Sequence, residues 1–205
     1  MEKPQILRLG SMTSTQDVAR ELPIGSVVVA DHQTAGRGRL SHRWEAPPGT
    51  ALLVSFVLRP DPHLSLAVGV AAAEACGKDV RLKWPNDLLL SGRKVGGILI
   101  ESSASKAICG IGINLTWAPD GAARLDESRD QLLDRLRPAV EHWASAPATQ
   151  VIARWRDLSD TIGKKVRIEV GDRVVEGTAS DIDATGSLVV DGVHVSAGSL
   201  TILSG

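Results

Sequence analysis

Tyrosine is absent from this chain, phenylalanine occurs once and cysteine twice. Cys76 and Cys109 lie far apart, each among apolar neighbours. That predicts buried free thiols rather than a disulfide or a metal-ligand pair. Tryptophan occurs five times, a skew for which the sequence offers no physical account. Excess charge is also lacking. The net charge is −1 at pH 7, which argues against a broad nucleic-acid-binding surface and leaves any basic function local. No long hydrophobic run is present. The longest, Leu64 to Cys76, carries Ser65 and Glu74 and is too short to span a bilayer. The start, Met1-Glu2-Lys3-Pro4, lacks an apolar core, so no signal peptide is expected. There is no internal repeat and no low-complexity tract. A cytoplasmic protein without nucleic-acid or membrane partners is therefore expected. What is present is 205 residues, 43% hydrophobic and 23% charged, enough for one globular domain plus a small second one.

Gln33 to Trp44, QTAGRGRLSHRW, concentrates the chemistry: two glycines, three arginines, one histidine and no acid. Glycine lets a backbone approach a ligand closely, and arginine offers a rigid fork of donors for phosphate or carboxylate. The loop reads as an anion clamp. A solvated basic loop or a nucleic-acid patch would read the same way. Its glycines, and the mutual repulsion of arginines with no acid among them, predict a loop that is mobile when empty and orders over an anionic ligand.

Along the chain, Ile6 to Leu9 is a strand candidate. Ser14 and Asp17 have capping-box spacing for a helix running to Leu22 and stopped by Pro23. Ser14 and Thr15 either cap that helix or offer its exposed N-terminus to a polar ligand. Val27 to His32 reads as a buried strand leading into the arginine loop, and Ala51 to Arg59 as another. Pro62 to Cys76 reads as a helix ended by Gly77. Val80 to Trp84 is a short strand, Pro85-Asn86 a turn, and Leu88 to Leu90 a strand. A hairpin at Ser91-Gly92-Arg93 returns through Lys94 to Glu101. Lys94 precedes Gly96-Gly97, and paired glycines weaken a strand unless something must lie close to it. Lys94 is either a solvated hairpin end or a site residue. Ile108 to Leu115, ICGIGINL, carries Gly110 and Gly112, but no third glycine opens a helix, so a dinucleotide fingerprint fits poorly. The alternating glycines instead suggest a flat strand face under a ring-shaped ligand. Leu125 to Trp143 reads as an amphipathic helix kinked at Pro138, and Thr149 to Leu158 as a second. From Lys165 onward the pattern becomes about five short strands of a small barrel. That barrel carries no motif with chemistry and reads as a lid, a docking surface or a stability cap.

Taken together, Ser14-Thr15-Gln16, QTAGRGRLSHRW, KWPNDLLL with RKVGGILIE, and GIGINL followed by a small β barrel closely resemble the biotin protein ligases, over nearly the whole chain. The resemblance implies an α+β fold: a mixed β-sheet catalytic domain flanked by helices, of the class II aminoacyl-tRNA synthetase-like type, over residues 1–160. A small C-terminal SH3-like β barrel would follow over 161–205. It implies activation of biotin by ATP, with Mg2+, to biotinyl-5′-adenylate. Biotin would then pass to a lysine of the biotin carboxyl carrier protein domain of an acetyl- or acyl-CoA carboxylase, by an enzyme that is a monomer or a homodimer. Ser14, Thr15, Gln16 and Gln33 would contact biotin near its ureido ring, with Gly36, Gly97 and Gly112 close by. Arg37, Gly38 and Arg39 would wrap the carboxylate and α-phosphate, and Lys94 would sit at the reacting groups. Asn86 and Asn114 would lie on the nucleotide side and Trp44 near the adenine. Lys94, Arg39 and Asp87 would be catalytic, Asp87 either as the base for the incoming lysine or as a metal ligand.

The chain departs from the family where the bacterial loop often reads G-R-G-R-x-G-R-x-W. Here Ser41 replaces the later glycine and His42 the arginine, with Arg43 next, so either His42 or Arg43 is left to meet a phosphate. The helix-turn-helix of repressor-type ligases is not expected, nor control through DNA. A lipoate or octanoate ligase or transferase of the same superfamily is the nearest alternative. A non-enzymatic nucleic-acid module, and a chain that binds biotin or adenylate without turnover, are further ones.

Overall fold

The computed structural model describes residues 3–203. The first part of the chain forms β1 (Ile6–Met12), α1 (Thr15–Ala19), β2 (Val27–Gln33), a 3-10 turn at Arg39–Ser41 and β3 (Ala51–Leu58). It continues through α2 (Leu64–Cys76), β4 (Val80–Lys83), β5 (Asp87–Leu90), β6 (Arg93–Ser102), β7 (Ala107–Asn114), α3 (Arg129–Trp143) and α4 (Ala148–Leu158). The strands make a seven-stranded mixed sheet in the order β1-β2-β3-β7-β6-β5-β4. β1 and β2 run parallel and the other neighbours antiparallel.

β3, ALLVSFVL, is apolar at nearly every position because both its faces are covered. Leu52, Val54 and Phe56 join the main core under α2, whereas Val57 packs with Ala19, Val28 and Ile108 on the α1 side. α2 is apolar all round for the same reason: the sheet covers one side and α3 and α4 the other. A Cβ at Gly69 would already touch Leu82, Ile98 and Trp155 at 3.6–3.8 Å, so a small residue there lets α2 pack close. Each fully buried Leu or Val contributes about 1.5–3 kcal/mol.

Three helices are shorter than their sequence patterns predict, α2 by its first two residues, since it starts at Leu64 rather than Pro62. α1 stops at Ala19 rather than Leu22. α3 begins at Arg129 rather than Leu125, because the Leu125 and Asp126 amides donate to the carbonyls of Asn114 and Leu115 at 3.1 and 2.8 Å. Asp126 is left-handed, at φ 56°, and this segment folds back along β7. α3 continues through Pro138.

The remaining strands are β8 (Lys165–Val170), β9 (Arg173–Ile182), β10 (Leu188–Val190), β11 (Val193–Val195) and β12 (Ser199–Ile202). They pair antiparallel in the order β11-β10-β9-β8-β12. Their core residues, among them Val166, Ile168, Ile182 and Leu188, are continuous with the main core. The seam lies at β4 and the turn after it. Asp160 N donates to Leu82 O at 2.7 Å, Trp84 N donates to Thr161 Oγ1 at 2.9 Å, and Arg156 pairs with Asp181 at 2.6 Å. The second sheet therefore buttresses the strand end that carries Asn86 and Asp87.

Candidate active site

Register across the central strands builds the floor of a cleft. Leu53 faces Gly112, Gly112 faces Gly97, and Gly97 faces Asp87. One step along, Ser55 faces Gly110 and Gly110 faces Leu99. Directly opposed residues share a face, so three glycines on one face leave a trough. A Cβ on Gly112 would come within 2.5 Å of Trp44 Cε2, and one on Gly110 within 2.9 Å of Gln16 Nε2. The flat face read from the alternating glycines is real, and the ring seated on it is the Trp44 indole. The space left is about 140 Å³, below the ~300–1,000 Å³ of sites for drug-sized ligands.

One wall is a network of hydroxyls and amides. Gln33 Oε1 accepts from Thr15 N at 2.7 Å, from Thr15 Oγ1 at 3.0 Å and from Ser14 Oγ at 3.4 Å. Thr15 Oγ1 also meets Ser55 Oγ at 2.8 Å. Ser14 caps α1 by accepting from Gln16 N at 3.4 Å, but the reciprocal half of the expected capping box is missing. Asp17 turns away, accepting from Thr13 Oγ1 at 3.1 Å and from Arg37 Nη1 at 2.8 Å. Gln16 Oε1, Trp44 Nε1 and Arg37 Nη2 are buried with no hydrogen-bond partner among the described residues. Such groups cost about 1–3 kcal/mol each until satisfied, and all three belong to side chains that line the cleft.

The opposite wall is cationic. Residues 36–44 form a small hairpin, in which Trp44 N donates to Gly36 O at 3.0 Å and Gly38 N to His42 O at 2.7 Å. Arg37 bridges Arg43. At the tip Leu40 and Ser41 are left-handed, at φ 52° and 63°. Arg39 reaches inward and donates to Asn86 Oδ1 at 3.2 Å. Burial holds its pKa below the ordinary arginine value, opposed only in part by the charge of Asp87. Lys94 Nζ lies 2.6 Å from Asp87 Oδ1. Asn86 locks the turn by donating to Ile98 O at 2.9 Å. The loop's arginines do not lack acids, as its sequence alone suggested. Arg37 pairs with Asp17 at 2.8 Å and Glu101 at 3.4 Å, acids that α1 and β6 bring from outside the loop.

Ser14, Thr15, Gln16, Gln33, Arg37, Gly38, Arg39, His42, Arg43 and Trp44 all line the cleft, as do Asn86, Asp87, Lys94, Gly97 and Gly112. Gly36 and Asn114 are not among its lining residues. Gly36 stands behind Trp44, where a Cβ would meet the Trp44 carbonyl oxygen at 2.3 Å. The Asn114 side chain is buried and donates to Ala123 O at 3.0 Å. It therefore ties down the segment after β7. Sequence reasoning missed Leu53, Leu99, Ser55, Asp17 and Glu101. Only Ser55, a lone hydroxyl in an apolar strand, left a signal. Among the described residues no group of three or more His, Cys, Asp or Glu is placed to hold a metal ion, and the carboxylate lining the cleft is Asp87.

Residues 9–116 match the Biotin/lipoate A/B protein ligase family, and residues 161–199 match the Biotin protein ligase C terminal domain. The chain belongs to the biotin/lipoate A/B protein ligase family. It is 35% identical to the biotin--[acetyl-CoA-carboxylase] ligase of Mycobacterium tuberculosis over 82% of this chain and 73% of that one. It is 33% identical to the bifunctional ligase/repressor BirA of Bacillus subtilis over 88% of this chain and 67% of that one. It spans 63% of the length of the bifunctional relatives from Escherichia coli and Salmonella typhimurium. The biotin protein ligase of Aquifex aeolicus, solved with biotin and ATP, superimposes with a TM-score of 0.86 at 25% identity, covering 98% of this chain and 99% of that one.

Proposed function

We propose that this chain is an ATP-dependent biotin protein ligase that acts on the biotin carboxyl carrier protein domain of a biotin-dependent carboxylase. One observation carries the reading: Lys94 and Asp87, paired at 2.6 Å, stand at the end of a glycine floor beside half-buried Arg39, which donates to the neighbouring Asn86. The family and the match of residues 161–199 to the ligase C-terminal domain support it, as does the printed name of the mycobacterial relative.

In the first step a biotin carboxylate oxygen attacks the α-phosphorus of ATP, and the bond to pyrophosphate breaks. Two anions must meet. Arg39 and Lys94 offset that repulsion and stabilise the in-line transition state. A phosphate oxygen competes with Asp87 for Lys94, so the substrate that recruits the lysine also releases the carboxylate. In the second step the amine of the carrier lysine attacks the acyl carbon, and AMP leaves with the electron pair of the broken C–O bond. That lysine has a pKa of about 10.4 and arrives mostly protonated, so a carboxylate at the cleft mouth must take its proton. Asp87 does this. The hydroxyl and amide wall of Ser14, Thr15, Gln16 and Gln33 holds the ureido ring, and closure of the hairpin keeps water from the mixed anhydride. Mg2+ demands few protein ligands when phosphates supply the rest; carried in by the nucleotide, it would neutralise the departing pyrophosphate, and Asp87 is kept for the proton.

The test is transfer. With biotin, Mg2+-ATP and an isolated carrier domain, mass spectrometry finds one lysine of the carrier biotinylated. Modification with lipoate in place of biotin would move the chain to the lipoate branch of the family.

A further inference from the structure

Lys83 ends the cross-strand row that makes the cleft floor. From β3 outward the row runs Leu53, Gly112, Gly97, Asp87 and Lys83, and β4 is the last strand of the sheet. Alternation along β4 agrees with this placement. Leu82 is buried in the main core against α2, where a Cβ on Gly69 would touch it, so Lys83 faces the cleft side. It is half-buried. The two carboxylates beside it are held by other lysines. Asp87 pairs with Lys94 at 2.6 Å. Asp160, whose amide donates to Leu82 O at 2.7 Å, pairs with Lys164 at 2.8 Å. Among the described residues Lys83 itself forms no ion pair. Arg81, two residues back on the same face, turns along its own chain and donates to Lys78 O at 3.0 Å.

We infer that Lys83 is a ligand for the β- and γ-phosphates of ATP and holds pyrophosphate as it departs. The inference rests on the ligase reading of the same cleft. Displacement at the α-phosphorus is in line. A biotin carboxylate oxygen forms the new bond to phosphorus. On the opposite side the bond to the bridging oxygen breaks, and pyrophosphate leaves with that electron pair. The hydroxyl and amide wall that fits the ureido ring stands at the β2–β3 end of the row, and Asp87 and Lys94 stand on β5 and β6. The leaving side therefore points toward β4, where Lys83 stands. A lysine without an acid partner brings its full charge to an anion, whereas Lys94 must first give up Asp87. A compact ammonium with three rotatable donors also suits a leaving group that changes position better than a rigid fork does.

Calorimetry with inorganic pyrophosphate tests this on the wild-type protein and on Lys83→Ala. The wild type should bind pyrophosphate, and the variant about tenfold or more weakly, the scale of one lost charge-assisted contact. In turnover the KM for ATP should rise by about the same factor and the KM for biotin by less than about threefold. Transfer from preformed adenylate, which carries no pyrophosphate, should stay within about twofold of wild type. Lys83→Arg should recover most of the pyrophosphate affinity. Unchanged pyrophosphate affinity in folded Lys83→Ala, or a wild type that binds none, would overturn the inference. So would slowed transfer with an unchanged KM for ATP, which would assign Lys83 to Asp87 instead. If Lys83→Ala does not fold, Lys83→Met keeps the stem and removes the charge, and the same outcomes decide. The calorimetry needs no turnover. A wild type that binds pyrophosphate through Lys83 but releases none from ATP and biotin would count against the ligase reading and leave the phosphate site standing.

Discussion

Lys94 and Asp87 share a face of the sheet because β6 has one residue too many. Asp87 pairs with Gly97 and Leu88 with Gly96, but Leu89 then pairs with Lys94, so Val95 is the extra residue of a bulge. In regular register Val95 would oppose Leu89 and Lys94 would point to the other side. The bulge instead sends Val95 into the core and turns Lys94 into the cleft, 2.6 Å from Asp87. Re-aiming a side chain beside a site is what bulges do well.

On the proposed mechanism, Lys94→Ala removes the cation that meets the reacting groups and strands Asp87. Biotin-dependent pyrophosphate release should fall about 10²–10³-fold or more, with the thermal unfolding midpoint nearly unchanged because Lys94 is exposed on the surface of the bulge. A folded variant with wild-type release would remove Lys94 from the mechanism.

Asp87→Asn separates base from support. Timed from preformed adenylate, transfer to the carrier should slow about 10²–10⁴-fold, the range for a lost general base, and adenylate formation should slow much less. Equal losses in both half-reactions would point to metal binding or to support of the Pro85-Asn86 turn.

Gly112→Ala tests the glycine floor. The new Cβ would sit 2.5 Å from Trp44 Cε2, so the indole must lift and occupy ligand space. Overpacking of this kind costs about 1–3 kcal/mol, which corresponds to roughly 5–150-fold weaker biotin binding by calorimetry. The same substitution at exposed Gly10, where a Cβ would have open space and the backbone is not left-handed, should leave biotin affinity as it is.

Much of this was legible in the chain. The strands announced themselves through apolar runs between glycine punctuation, and the cleft-lining residues through the arginine loop, the glycines flanking Lys94, and GIGINL. What was not legible depends on tertiary register. Asp17 reads as the end of a capping box until Arg37 arrives to claim it. Glu101 reads as an exposed strand end, and Asn114 as a polar neighbour of a ligand until the segment after β7 folds onto it. The bulge at Val95 changes no local pattern at all. Its effect appears only when β5 is laid beside β6.

Burial pushes both thiols up, Cys76 to about 12 and Cys109 to about 12. At pH 8 the thiolate fraction is then roughly 10⁻⁴, against about a quarter for an unperturbed thiol. Native protein treated with iodoacetamide at pH 8 should therefore stay unmodified by mass spectrometry, and denatured protein should take up a label at each cysteine. Rapid native labelling of Cys109, which lies beside Gly110 in β7, would show that the sheet under the cleft opens.

Pyrophosphate release from ATP, measured in parallel with biotin, with lipoate and with neither, tests the central claim most directly. The structure predicts release that depends on biotin and on Lys94, near background with lipoate or with no acid added. Release driven by lipoate, or none with either acid in a folded protein that binds both biotin and ATP, would contradict the assignment of this cleft to biotin activation.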